Sequence, residues 1–92
     1  MNTEEAVGIG QEALIWLAGQ PELLSRFLEA SGLAPGELRG SAADPAFLGF
    51  VLEFVLGADA NVVAFATDAG LRPGDPARAR SVLAGGDPPA WT

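Results

Sequence analysis

The reading of the fold turns on Asp44-Pro45-Ala46-Phe47-Leu48-Gly49-Phe50-Val51-Leu52-Glu53-Phe54-Val55-Leu56-Gly57. Asp44 can cap a helix with its side chain, and Pro45 suits the first helical position, where a missing N–H costs nothing. Eight of the next eleven residues, from Ala46 to Leu56, are large and apolar, with no period-2 alternation. A helix that is apolar nearly all round is expected at the centre of a packed domain. Its exceptions, Ala46, Gly49, Glu53 and Gly57, share one narrow strip. That strip either faces water or lets another helix approach closely.

Working outward, each flank carries helix start and stop signals. On the N-terminal side, Thr3 with Glu4 and Glu5 predicts a cap and an acidic first turn. The helix it opens runs to about Ala18, with Ala6, Ile9, Ala13, Trp16 and Leu17 inward at helical spacing. Gly8 and Gly10 weaken its start by about 1 kcal/mol each relative to Ala. Pro21 opens a second helix with Leu23, Leu24, Phe27, Leu28 and Ser31 on one stripe, and Gly32 is its left-handed stop. A short third helix is expected from Pro35, with Leu38 inward and Glu37 and Arg39 in solvent.

On the C-terminal side, Asp59 is the expected cap of a fifth helix that turns Val62, Val63, Phe65, Ala66 and Ala69 inward and stops at Gly70. Asp75-Pro76 repeats the Asp-Pro start for a sixth helix, with Ala79, Val82 and Leu83 inward and Arg78 and Arg80 outward. Gly85-Gly86 ends it. The expectation is an all-α single compact bundle of five to six short helices over residues 1–86, with a C-terminal tail at 87–92.

Sliding the chain along itself by 38 residues aligns Leu14 with Leu52, Gly19 with Gly57, Phe27 with Phe65, Gly32-Leu33 with Gly70-Leu71, and Pro35-Gly36 with Pro73-Gly74. Trp16 also falls on Phe54. These are stops and core anchors, where a duplicated unit should show identity. The reading is a pseudo-twofold repeat of a helix-turn-helix-like unit, residues 11–40 and 49–78. A chain rich in Gly, Ala and Leu also produces such identities by composition alone.

Composition narrows the function. The chain has no Cys, His, Lys or Tyr. That removes the thiol nucleophile, the usual general base, the commonest metal ligand, and the Schiff-base and P-loop lysines. Neither an enzyme nor a cofactor or metal site is expected. Apolar residues make up 49% and mean hydropathy is +0.27, high for a domain this small. A chain of this length buries only about 60–65% of its unfolded surface, so some apolar surface is available to a partner. No apolar stretch reaches the ~18–20 residues that span a bilayer, and the N-terminal segment lacks the basic residues of a secretory signal. A cytoplasmic location without membrane association is expected.

The net charge is −7. Residues 1–70 hold ten carboxylates against Arg26 and Arg39, whereas residues 71–92 hold Arg72, Arg78 and Arg80 against Asp75 and Asp87. Phe27 to Arg39 has the outline of a DNA-binding helix-turn-helix, with Gly32 at the turn, and the second unit repeats that outline with Arg78 and Arg80 on its last helix. A specific DNA binder commonly makes 6–10 phosphate contacts, mostly through Lys and Arg; five arginines in an acidic chain fall short. Nucleic acid is therefore the minor expectation, carried by Arg72, Arg78 and Arg80. Glu53, alone among apolar neighbours, is a candidate small-ligand site if desolvated; otherwise it lies on the polar strip with Gly49 or pairs with Arg26 or Arg39. Trp91 in the Pro-Pro-Ala-Trp tail either covers a groove or stays free. The leading expectation is a non-enzymatic protein-protein interaction or adaptor module that binds a partner or a second copy, with Arg72, Arg78, Arg80 and Trp91 as candidate surface residues.

Trp16-Leu17-Ala18, Arg26-Phe27-Leu28, Gly32-Leu33 with Pro35, Leu38-Arg39, Asp44 to Leu48, Val51 to Phe54, Phe65, and Gly70-Leu71-Arg72-Pro73 are the elements of a wider likeness. Through them, over roughly residues 10–84, the chain resembles the bacterial family known as domain of unknown function 3572. The resemblance implies a short all-helical protein and supplies no activity and no catalytic residue.

Overall fold

A computed structural model describes residues 1–83, which form six helices: α1 (Thr3–Ala18), α2 (Pro21–Ser31), α3 (Glu37–Ser41), α4 (Pro45–Leu56), α5 (Asp59–Ala69) and α6 (Asp75–Leu83). There is no strand among the described residues. The expected Gly85-Gly86 stop, the tail and Trp91 lie outside them.

The buried faces of α1 and α4 make the centre. On α1 the buried positions are Ala6, Gly10, Ala13, Leu14 and Leu17. On α4 they are Leu48, Val51, Leu52 and Val55. Phe27 of α2, Phe65 and Ala66 of α5, and Pro76 and Ala79 of α6 close the core. α6 lies across both central helices, and the strip Ala46-Gly49-Glu53-Gly57 divides between the two alternatives: Ala46, Glu53 and Gly57 are exposed, and Gly49 alone lies against α6. A Cβ built on Gly49 would meet the Leu83 Cβ at 3.6 Å.

The other arc of α4 carries Phe47, Phe50 and Phe54, which stand around Phe27 at ring-centroid distances of 6.0, 5.5 and 5.4 Å. This aromatic cluster attaches α2, whose Leu23, Leu24 and Leu28 are only half-buried. α4 is therefore two-faced. Its aliphatic arc is fully enclosed, and Phe50 on its aromatic arc remains 37% exposed.

Several local expectations are corrected. Asn2 caps α1, not Thr3: its side chain accepts from the Glu5 N–H at 2.8 Å, and the Glu5 carboxylate reaches back to the Asn2 N–H at 3.5 Å. This capping box needs an acidic residue three positions on; counting from Thr3, that place is Ala6. Ala58, not Asp59, is the N-cap of α5, and Asp59 is its first helical residue, where a carboxylate still faces the positive end of the helix. Asp75 likewise starts α6 from within, its carboxylate accepting from the Arg72 N–H at 3.1 Å. α3 starts at Glu37, not Pro35, because Ala34-Pro35-Gly36 makes a turn in which Glu37 accepts from the Ala34 N–H at 2.9 Å. Val63 is 59% exposed and not inward; it sits ~100° round the helix from Val62, outside the arc that holds Phe65, Ala66 and Ala69. The stops at Gly32 and Gly70 are left-handed, with φ of 74° and 68°. Asp44 caps α4 through the Ala46 N–H at 3.0 Å.

The 38-residue correspondence is met at some positions and lost at others. α2 and α5 keep the offset at both ends. Trp16 packs on Phe65 with centroids 5.8 Å apart. Phe54, which aligns with Trp16, packs on Phe27, which aligns with Phe65. α6, however, packs broadly on α1 and α4, and α3 packs broadly on no helix. The helix order alone does not establish a duplicated fold.

Candidate interaction surface

Beside the buried stripe of α1, Glu12 and Ile15 are exposed and Trp16 is half-buried against the core, the three spaced so that they share a face. Phe65, Asp68 and Ala69 have the same spacing on α5. The two triplets meet in a notch of ≈ 260 Å³. Trp16 and Phe65 form its aromatic wall, their rings inclined at 53°. The Trp16 indole Nε1–H donates to the Asp68 Oδ2 at 2.8 Å, which ties α1 to α5. Ile15 stands at the lip with 73% of its surface exposed, the most exposed large apolar side chain among the described residues.

A second depression of ≈ 470 Å³ continues along α1 toward its N-terminus, bordered by Glu5, Ile9, Leu71, Asp75 and Arg78. Glu12 borders both. Together they make an open furrow down α1, with α5 and the start of α6 as its far bank.

The residues singled out from sequence are dispersed. Arg80 reaches Glu53 at 3.4 Å, across the α4–α6 contact. Arg78 pairs with Asp75 at 4.0 Å and borders the furrow. The two arginines are two residues apart, hence ~200° round the helix, and so serve different faces. Arg72 precedes α6, its backbone N–H held by Asp75. The three guanidinium groups are not gathered by one helix face. Glu53 is an exposed member of a surface ion pair, with a side chain 61% accessible, and its partner is Arg80, not Arg26 or Arg39. It borders neither depression of the furrow. Among the described residues no three carboxylates converge as metal ligands would.

Ile15, Glu12 and Asp68 were not singled out from sequence. The signal for Ile15 is present: it is a large apolar residue off the buried stripe, in the run Leu14-Ile15-Trp16-Leu17. The Trp16–Asp68 bond joins residues 52 positions apart, and no local pattern encodes it.

The family model described as protein of unknown function (DUF3572) matches residues 3–86. The chain belongs to the DUF3572 family. No curated protein and no solved structure matches it. Like the resemblance read from sequence, family membership brings no reaction and no ligand to this fold. No single helix among the described residues is long and apolar enough to cross a membrane. α4 and α5 satisfy the length and composition together only as a pair bent by 116°.

Proposed function

We propose that this DUF3572 protein is a non-enzymatic protein-interaction module whose binding face is the furrow along α1. The observation that carries the reading is Ile15, exposed at the lip of a notch walled by Trp16 and Phe65. Scattered exposed apolar residues are ordinary on a protein surface; an exposed one beside an aromatic-walled notch is the usual makeup of an interaction anchor. The side-chain inventory supports the same reading, since His, Cys, Lys and Tyr are all missing from the chain.

A photo-crosslinking residue placed at position 15 in cells tests it, with the same residue at exposed Glu29 on α2 as the comparison. A discrete adduct at position 15 and not at 29 is expected. Equal adducts at both positions, or none at 15, overturn the reading.

We also read the scaffold as two copies of one helical unit about a pseudo-twofold axis. The crossed pairs Trp16–Phe65 and Phe54–Phe27 support this, since a twofold operation exchanges one for the other. α1–α2 should overlay on α4–α5 through a twofold rotation in a crystal of the protein; a different rotation removes the proposal.

A further inference from the structure

Resting on the interaction reading above, we infer that the α1 furrow takes a basic amphipathic helix from another protein. Four carboxylate side chains border the furrow, Glu5, Glu12, Asp68 and Asp75, against the single guanidinium of Arg78. Asp75 already shares that guanidinium at 4.0 Å, and neither Glu5 nor Glu12 forms an ion pair among the described residues. With Met1 and its amino group also at the border, the furrow is net anionic in a protein that is anionic overall, with net charge −7. Half-buried Trp16 adds a second attraction for a cation, because the face of an indole carries negative quadrupole charge. Ile15 and Ile9 offer the apolar contact that a purely electrostatic site lacks.

Dimensions and fold choose the form of the partner. From Glu5 to Trp16 the furrow follows α1 for roughly 16 Å, about three helical turns. No strand edge exists among the described residues for an extended peptide to join, and a furrow of that length beside a helix suits helix-in-groove docking. The occupant presents an apolar stripe to Ile15 and Ile9, flanked by Lys or Arg directed at Glu12 and Asp68. A second copy of this chain is a poor occupant. A two-fold contact through the furrow places the same patch on both sides, so four carboxylates face four with one Arg78 on each side to offset them.

The experiment uses the whole chain, isotope-labelled for amide and indole NMR, titrated with three synthetic peptides of equal length. One is an amphipathic Leu/Lys helix, one the same helix with Glu for Lys, and one a Lys/Ser/Gly peptide without an apolar stripe. The Leu/Lys helix is expected to shift the amides of Glu12, Ile15 and Asp68 and the Trp16 indole signal, with micromolar affinity that falls at least tenfold between low and high salt. Glu12→Arg and Ile15→Asp should each weaken it at least tenfold, and Glu29→Arg less than twofold. Circular dichroism checks that each variant is folded, and Ile15→Ser provides a milder second test of the same contact.

Equal weakening by Glu12→Arg and Glu29→Arg overturns the inference, because attraction to the whole acidic molecule then explains the binding. Equal binding of the Lys/Ser/Gly peptide overturns it as well. If the Leu/Glu helix binds as tightly and still needs Ile15, the basic partner falls and the interaction reading stands. Concentration-dependent shifts at Ile15 without any peptide make a second copy the occupant. Movement of the Trp16 indole signal on Trp91→Ala makes the chain's own C-terminal segment the occupant. Both results overturn the inference.

Discussion

Gly10 of α1 faces Leu48 of α4 so closely that a Cβ on Gly10 would lie 2.8 Å from the Leu48 Cβ. Leu48 Cβ is fixed to its own helix and cannot swing aside. The two central helices are therefore spaced by the absence of a side chain at position 10. Gly10→Ala is expected to lose stability despite a better helix propensity. Overpacking costs about 1–3 kcal/mol, and the gain from leaving glycine is at most about 1 kcal/mol. Gly8, with nothing within 4 Å of its would-be Cβ, supplies the contrast: Gly8→Ala should gain up to about 1 kcal/mol. Urea unfolding of both variants checks the pair. A Gly10→Ala protein as stable as the parent would show that the helices separate at no cost.

The left-handed stops make a second contrast. Gly70 and Gly32 have positive φ, whereas Gly36 has φ −68°. Gly70→Ala and Gly32→Ala should each cost about 1–2 kcal/mol, because a Cβ crowds the backbone in that conformation. Gly36→Ala, in an ordinary conformation with open space around it, should be neutral or stabilise by up to about 1 kcal/mol. In a domain of this size each kcal/mol moves Tm by about 4–8 °C, well within reach of calorimetry.

The first cap separates Asn2 from Thr3. Asn2→Ala should cost about 0.5–2 kcal/mol, the range for losing a side-chain N-cap. Thr3→Ala should stay within about 0.5 kcal/mol, as for an exposed site away from such a feature. Thermal unfolding of the two single variants decides between the two caps, and a larger loss from Thr3→Ala would refute the assignment to Asn2.

The Trp16–Asp68 bond predicts a modest stability effect and a clear local one. Asp68 is exposed, so water can replace part of what is lost. Asp68→Ala should cost about 0.5–1.5 kcal/mol and shift the Trp16 indole proton signal in NMR spectra. An unmoved indole signal would mean the bond does not form in solution.

The Glu53–Arg80 pair joins two substantially exposed side chains, 61% and 42% accessible. Glu53→Gln should cost no more than about 1 kcal/mol, an effect that salt screens. A loss of several kcal/mol that persists at high salt would place Glu53 in a far less solvated setting than its exposure indicates.

How much of this was legible in sequence depends on the range of the interaction concerned. Helix stops were legible because a left-handed glycine acts on its own backbone: Gly32 and Gly70 end α2 and α5 as read. The Asp44 cap was legible for the same reason, being a contact across two residues. The core anchors Leu17, Phe27, Val51, Leu52 and Phe65 were legible from helical spacing. At α1 the one-residue ambiguity between Asn2 and Thr3 was resolved by the capping box that Asn2 forms with Glu5; at α5 the cap position falls on Ala58, which makes no side-chain cap bond. The candidate surface was much less legible. Arg72, Arg78 and Arg80 are neighbours in sequence, yet the 3.6-residue period turns Arg78 and Arg80 apart and gives each a different carboxylate.

The sequence by itself determined an all-helical chain, its stops, a central α4 and the poverty of catalytic side chains, all of which rest on local periodicity and composition. Only the tertiary structure decided that Gly10 is a contact point and not a weak spot in α1, that Glu53 belongs to Arg80, and that Trp16 and Asp68 join across 52 residues to wall a furrow. Those outcomes depend on how closely and at what angle helices pack. That geometry is set by the summed shapes of side chains distant in sequence, and no short stretch of the chain contains it.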